Sequence, residues 1–270
     1  MEWKNIYRGL IMGASDVIPG VSGGTIAVLL GIYDRLIAAI NGFLGKEWKK
    51  HLGFLIPLGI GMVTAIFLLA NVIEWLFEHY PAPTKFFFLG LILGVLPFLF
   101  HKADAKNTFK AKHFILLAIG IIIVGSMAFF SPSEGDVIKN ITGTTYILLF
   151  VSGFIASSAT IIPGISGSFM LLLLGMYTTI ISAISNLQFD IIIVTGIGIV
   201  LGILFMSKVI NYFLENHYTV TFAIIIGLVI GSVFFVFPGF PSETSLILLS
   251  ILTFAVGLFV ANILGRVEYK

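Results

Sequence analysis

A five-residue turn, Pro-Gly followed by Val or Ile and then Ser-Gly, occurs twice in this chain, each time inside a long hydrophobic segment. Proline removes a backbone N–H from a helix and the following glycine loosens the chain, so each segment is expected to break into a helix, a turn and a second helix. The pattern predicts two helical hairpins, over residues 6–40 and 146–184. The predicted turn residues are Pro19, Gly20, Pro163 and Gly164.

Composition places these hairpins in a membrane. Of the 270 residues, 58% are hydrophobic and 10% are charged, whereas a soluble domain has about 25% charged residues. The excess apolar surface is expected to face lipid. The chain has no cysteine and a net charge of +2, so it offers no thiolate site and no sign of a nucleic-acid partner. We find no histidine spacing for a metal and no nucleotide-binding motif, and we expect no cofactor.

Six further hydrophobic segments run without interruption. A helix needs about 20 apolar residues to cross the hydrocarbon core of a bilayer. The expected helices cover residues 54–77, 86–100, 114–130, 191–214, 219–237 and 246–264. The sequence therefore predicts an all-α polytopic membrane protein, and it leaves oligomerisation open.

Basic residues are unevenly distributed between the predicted loops. If each hairpin returns to the side from which it enters, both termini, residues 46–51 and residues 101–113 share one side and carry most of the Lys and Arg. Such loops are typical of the cytoplasmic side. We therefore predict a multi-pass protein of the plasma membrane with both termini in the cytoplasm, although the loop 215–218 has only Lys208 nearby.

The turns belong to an internal repeat that spans nearly the whole chain. Residues 18–33 align with 162–177, residues 59–94 with 196–231, and residues 114–125 with 246–257. Each half, 1–135 and 136–270, would contain one re-entrant hairpin and three crossings. Because three is odd, the second half would be inverted relative to the first. Many secondary transporters have this architecture, with the binding site near the membrane midplane where interrupted helices meet.

Small and hydroxylated residues follow each Pro-Gly pair. Broken backbone at membrane depth is tolerated where it is buried in protein or lines a watery cavity, and open helix N-termini attract anions such as phosphate or carboxylate. The predicted phosphate-binding residues are Ser22, Gly23, Gly24, Thr25, Ser166, Gly167 and Ser168. The alternative is that these residues only allow helices to pack closely.

Asp16 lies three residues before Pro19, and its partner in the repeat is Thr160. A carboxylate at membrane depth is costly and usually functional. We interpret Asp16 as the candidate for coupling to an ion, either a proton or sodium, with Thr160 at the equivalent place. The alternatives are that Asp16 caps a helix or pairs with a nearby cation such as Arg8 or Arg35.

Four more charged residues are weaker candidates. Arg8 and Arg35 lie on the two arms of the first hairpin and could attract an anionic head group, or they could simply extend to the membrane interface. Glu78 and Glu215 are repeat partners at the ends of equivalent helices. Their symmetry suggests gating or an ion relay, and ordinary interfacial residues are the alternative.

Three stretches of the sequence carry a family resemblance. Residues 16–25, their echo at 161–168, and Tyr80-Pro81 before the glycine pattern of residues 90–94 resemble the polyprenyl-phosphate transporter family. The resemblance covers essentially the full chain. It implies a flippase, not an enzyme, that carries undecaprenyl phosphate from the outer to the inner leaflet for reuse in cell-wall synthesis, driven by an ion gradient. On that basis the lipid phosphate would lie at the two turns.

The Pro-Gly-x-Ser turn is also similar to that of the undecaprenyl-pyrophosphate phosphatases. In that family an arginine follows the serine and a Glu-x-x-x-Glu pair lies near the first hairpin. Here Gly23 and Gly167 stand at the arginine positions, and Glu74 and Glu78 match the spacing in a later helix. Without the arginine, the stabiliser of a phosphoryl-transfer transition state is missing. A phosphatase-like enzyme and a small-anion carrier remain the alternatives to the flippase.

Overall fold

The computed structural model describes residues 1–16, 22–43, 45, 48–130, 136–138 and 140–268. The predicted first turn at Pro19 and Gly20 lies outside these residues, and so does the side chain of Glu74. Within the described ranges the chain forms helices and no strand, so the all-α prediction is confirmed.

The helices are as follows. The first half contains α1 (Asn5–Asp16), α2 (Gly23–Leu29), α3 (Tyr33–Gly42), α4 (Trp48–His79), α5 (Pro81–Lys102), α6 (Ala105–Thr108) and α7 (Ala111–Met127). The second half contains α8 (Gly143–Ile161), α9 (Gly167–Leu173), α10 (Tyr177–Ser185), α11 (Phe189–Asn216), α12 (Tyr218–Val236) and α13 (Thr244–Glu268).

Six of these helices are long and apolar enough to cross a membrane: α4, α5, α8, α11, α12 and α13. Five of them match predicted crossings, and most extend beyond the predicted bounds because the helical backbone continues into the polar ends of each segment. The sixth, α8, is the first arm of the second hairpin, and its 19 residues span about 28 Å. The remaining predicted crossing, α7, has 17 residues and ends at Met127 rather than at residue 130.

Each hairpin breaks at a second place, which corrects the expected helix, turn and helix. The extra break lies at Gly31 in the first hairpin and at Gly175 in the second, where φ is 65° and 67°. A glycine in this left-handed conformation is the common way to end a helix. In the second hairpin the break bends α10 away from α9 by 112°.

Each hairpin packs beside the long helix that follows it. In the first half α1 and α4 run parallel, since Gly9 lies against Leu58 and Gly13 lies against Met62. Arg35 on α3 pairs with Glu2, so α3 has returned to the end where α1 begins. In the second half α8 and α11 are also parallel, with Phe150 against Gly198 and Phe154 against Gly202.

Both described chain ends meet at one end of the helix bundle, where Tyr7 and Arg8 bind Glu268. We call this end the terminal face and the opposite end the far face. The end of α11 also reaches the terminal face, because His217 and Lys110 line a pocket there. Since α8 runs parallel to α11, α8 begins at the far face. The hairpins therefore enter from opposite ends, which does not conflict with the predicted inversion.

The last helices of the two halves are exchanged. α13 packs along α5 and α7 packs along α12. Glycines allow the backbones to touch, because a Cβ on Gly257 would overlap the carbonyl oxygen of Phe87 and one on Gly227 would overlap that of Leu117. Gly257 faces Gly90 as Gly120 faces Gly227. By this packing, Gly120 is the residue of the first half that is equivalent to Gly257. The sequence alignment instead made Gly125 the equivalent residue.

Candidate functional site

The two broken hairpins meet inside the bundle. The Gly164 N–H donates to the Thr25 hydroxyl over 2.8 Å, and the Tyr33 hydroxyl donates to the carbonyl of Ile161 over 3.1 Å. The Ser22 hydroxyl lies 3.3 Å from the carbonyl oxygen of Thr160. Residues from both predicted turns are therefore brought together, as expected.

The start of α2 is occupied by side chains of its own hairpin. The Gly23 N–H donates to a carboxylate oxygen of Asp16 at 2.8 Å, and the Gly24 N–H donates to the Ser22 hydroxyl at 3.2 Å. Every residue of α2 is buried. The alternative in which Asp16 caps a helix is therefore observed, and the carboxylate fills the place where an anion would bind.

The start of α9 differs at the equivalent position. Thr160 replaces Asp16, and its hydroxyl donates to the Ala156 carbonyl at 3.0 Å. Ser166 caps the helix by accepting from the Phe169 N–H, and its oxygen lies 2.9 Å from that of Ser168. No side chain among the described residues accepts from the Gly167 or Ser168 N–H. The Thr160 hydroxyl packs against Gly167, so this helix end is covered by a neutral group where α2 has a carboxylate.

A cavity of about 750 Å³ joins the two helix starts. Its polar side chains include Asp16, Ser157, Thr160 and Ser168, and most of the rest are aliphatic residues of α3, α4, α10 and α11. Two of the lining residues, Ile181 and Ile184 on α10, are 45% and 53% exposed. Ile66 on α4 and Ile199 on α11 also line the cavity and are exposed, so it reaches the outer surface of the bundle between α4 and α11, beside α10. It combines a polar interior with an apolar opening.

The hairpins differ in how tightly they are held. α3 packs along α11, whereas the described residues show no comparable packing of α10 on α4. An ion pair between Asp34 and Lys102, 2.8 Å long, also joins α3 to α5 near the terminal face. The first hairpin is thus locked into the bundle, and the second leaves the cavity open on its own side.

Four predicted site residues lie away from the cavity. Arg8 pairs with Glu268, and Arg35 pairs with Glu2. Glu78 is exposed at the end of α4, and Glu215 accepts a hydrogen bond from Asn211. Roles for these residues stay predictions, but the structure does not bring them to the two turns.

Two polar residues near the turns were missed. Ser157 lines the cavity, yet its repeat partner is Gly13, so the symmetry that indicated the turns did not indicate this serine. The Tyr33 hydroxyl bonds to the second hairpin. Its repeat with Tyr177 was visible in the sequence, and that repeat was the available signal.

This arrangement defines the class of protein. A multi-pass helical protein in which two broken hairpins meet at a central, partly polar cavity has the architecture of a secondary transporter. The chain belongs to the VCA0040-like family, described as undecaprenyl phosphate translocase-like, whose match covers residues 12–248.

Three known proteins are similar in sequence. A polyprenyl-phosphate transporter of Staphylococcus aureus is 42% identical, over 98% of this chain and 97% of that protein. A polyprenyl-phosphate transporter of Vibrio cholerae is 38% identical, over 88% of this chain and 79% of that protein. An undecaprenyl-diphosphatase of Methanococcus vannielii is 25% identical, over 64% of this chain and 68% of that protein. No solved structure matches the chain.

Proposed function

We propose that this protein is a flippase that moves a polyprenyl phosphate, undecaprenyl phosphate, from the outer to the inner leaflet of the plasma membrane, returning the lipid carrier to cell-wall synthesis. The central cavity carries this proposal, because its hydroxyl groups suit a phosphate and its aliphatic opening beside α10 suits a lipid chain. The names of the Staphylococcus and Vibrio relatives support the same substrate.

The phosphate would first bind at the start of α9. There no charged side chain covers the helix end, and the hydroxyls of Ser157, Thr160 and Ser168 line one cavity. The Ser157 and Thr160 hydroxyls, which donate to backbone carbonyls in this state, would turn to donate to the phosphate. Hydrogen bonds to a charged group are the strong ones. The polyprenyl tail would leave the cavity past Ile181 and Ile184 and stay in the lipid.

Asp16 would make binding depend on an ion. Its carboxylate holds the Gly23 N–H and lines the cavity that the phosphate enters, so the two anions repel each other. A proton or a sodium ion that neutralises Asp16 removes this repulsion and releases the N–H for the phosphate. One such ion would then travel with each lipid molecule.

The direction follows from which hairpin is closed. The cavity opens beside α10, which belongs to the hairpin that enters from the far face, while the first hairpin is locked near the terminal face. By the positive-inside rule, the terminal face would lie in the cytoplasm. We therefore propose that this state takes up lipid from the outer leaflet, and that inward release requires the first hairpin to open.

Removal of two cavity hydroxyls tests the assignment. In a Thr160→Val, Ser168→Ala double variant, we expect transport of labelled polyprenyl phosphate in liposomes to fall by about tenfold or more, because a hydrogen bond to a charged group contributes about 1.5–3 kcal/mol. Ser182→Ala is the matched control, since Ser182 lies on α10 and bonds to Asn186 outside the cavity. If the double variant transports at the wild-type rate, these hydroxyls are not part of the binding site.

A phosphatase is the second candidate, favoured by the similarity to the Methanococcus diphosphatase. Gly23 and Gly167 lie at the cavity where that chemistry would need an arginine, and neither Arg8 nor Arg35 lines the cavity. We expect purified protein to release no phosphate from undecaprenyl pyrophosphate above the buffer rate. An authentic phosphatase in the same detergent is the positive control. Release that disappears in the Thr160→Val, Ser168→Ala variant would establish the enzyme instead.

A further inference from the structure

A second pocket, of about 360 Å³, lies at the terminal face, where α7 and α12 begin side by side. The two helices are parallel, since Gly120 lies against Ile224 and Leu228, and Gly227 lies against Leu117. Each helix carries a partial positive charge at its N-terminus. Two such ends therefore meet at one pocket.

The side chains around this pocket strengthen the positive potential. Lys110 and Lys112 line it together with His113 and His217, and none of the lining residues is acidic. Neither lysine has an ion-pair partner within the part of the chain that the structure describes. The two lysines lie across from the loop 215–218, the loop for which the sequence showed too little positive charge.

His113 supplies an oriented donor. It is 5% exposed, and its Nδ1 accepts the backbone N–H of Lys110 at 3.0 Å. With Nδ1 as the acceptor, the proton of a neutral ring lies on Nε2. His113 lines the pocket and no described residue accepts from that Nε2, so its N–H is open to a ligand there.

The start of α12 adds backbone donors. His217, the residue before α12, makes no side-chain cap, and the first backbone bond of the helix runs from the Thr221 N–H to His217. The N–H groups of Thr219 and Val220 therefore precede the helical hydrogen bonds. At the equivalent start of α5 the first three residues are Pro81, Ala82 and Pro83, and prolines carry no N–H. The start of α12 at the terminal face therefore offers backbone N–H donors that the start of α5 at the far face lacks.

We propose that this pocket binds a phosphate group. Lysine ammonium groups, an imidazole N–H and open backbone N–H groups are together the donors that a phosphate monoester accepts. The phosphate could belong to the head group of a membrane lipid or to free inorganic phosphate. The site is separate from the central cavity, and binding at it does not rest on the proposed transport.

The experiment uses a reporter placed beside the pocket. The chain has no cysteine, so Asn107→Cys, at an exposed residue of α6, gives a single position for an environment-sensitive fluorophore. The labelled full-length protein in detergent is titrated with dioctanoyl phosphatidic acid, inorganic phosphate and dioctanoyl phosphatidylcholine. We expect saturable binding of phosphatidic acid and none of phosphatidylcholine. Saturation by inorganic phosphate at similar concentrations assigns the site to the anion alone, and its absence assigns the site to a lipid head group.

Three variants in the labelled background decide whether these residues form the site. Lys110→Gln with Lys112→Gln removes two charges, and His113→Asn keeps an acceptor for the Lys110 N–H while removing the Nε2–H. The double lysine variant and His113→Asn should each weaken phosphatidic acid binding by about tenfold or more. Lys49→Gln with Lys50→Gln removes the same charge at the start of α4 and should change nothing. Equal binding of phosphatidylcholine, or unchanged affinity in the first two variants, would overturn the proposal.

Discussion

Replacing Gly257 by alanine is expected to lower the melting temperature of the purified protein by roughly 5 °C, because overpacking costs about 1–3 kcal/mol and each kcal/mol shifts the midpoint by about 2–4 °C in a chain of this size. The new methyl group would overlap the carbonyl oxygen of Phe87 and approach the N–H of Leu91. Backbone atoms in a helix cannot turn aside as a flexible side chain can, so α13 and α5 must separate along their length.

Gly196 provides the matched control. It lies inside α11, and a Cβ there would meet no atom within 4 Å. Alanine is a better helix former than glycine by up to about 1 kcal/mol, so Gly196→Ala should leave the melting temperature unchanged or raise it. Measurement by thermal unfolding in one detergent compares the two variants directly. Equal melting temperatures for Gly257→Ala and Gly196→Ala would show that the α5 and α13 contact does not limit stability.

This contact also shows what the sequence could not predict. A glycine pattern such as that at residues 90–94, repeated at 227–231, is typical of close helix packing. It did not predict the partner, because a stripe of small residues accepts any helix that presents another. α5 packs against α13, and α12 packs against α7. These pairings depend on how the two halves interleave, which is determined by contacts between residues far apart in the chain.

The hairpins illustrate the opposite case. Their positions, the turn at Pro163 and Gly164, and the meeting of the two helix starts were expected from symmetry and hydrophobicity alone. The second break at Gly31 and Gly175 was also present in the sequence, as Leu-Leu-Gly repeated in both halves, but a glycine in a hydrophobic run can equally serve packing. Only its positive φ distinguishes a helix end from a packing contact.

Replacing Asp16 by asparagine is expected to abolish the response of transport to an ion gradient while downhill exchange continues. Asparagine keeps an oxygen that can accept the Gly23 N–H, so the local structure around α2 should survive. The group no longer carries a negative charge and no longer exchanges a proton. In the wild type, one coupled proton and a gradient of one pH unit can concentrate the lipid by up to about tenfold, because one unit corresponds to about 1.4 kcal/mol.

The measurement is leaflet-resolved transport of polyprenyl phosphate in liposomes, with a pH gradient, with a sodium gradient at constant pH, and with neither. For the wild type, acceleration by the pH gradient alone identifies a proton, and acceleration by the sodium gradient alone identifies sodium. Asp16→Asn should show the same rate under all three conditions.

Glu78→Gln and Glu215→Gln are the matched controls, since both carboxylates are exposed and neither lines the cavity. They should keep the gradient response of the wild type, and loss of that response in either would shift the coupling to the ends of α4 and α11. A normal gradient response in Asp16→Asn would show that the carboxylate only caps α2. The distinction matters because Asp16 is the charged member of an otherwise uncharged pair: Thr160 occupies its place in the second hairpin. A carboxylate at only one of the two similar helix starts lets a cation bind to one hairpin in preference to the other.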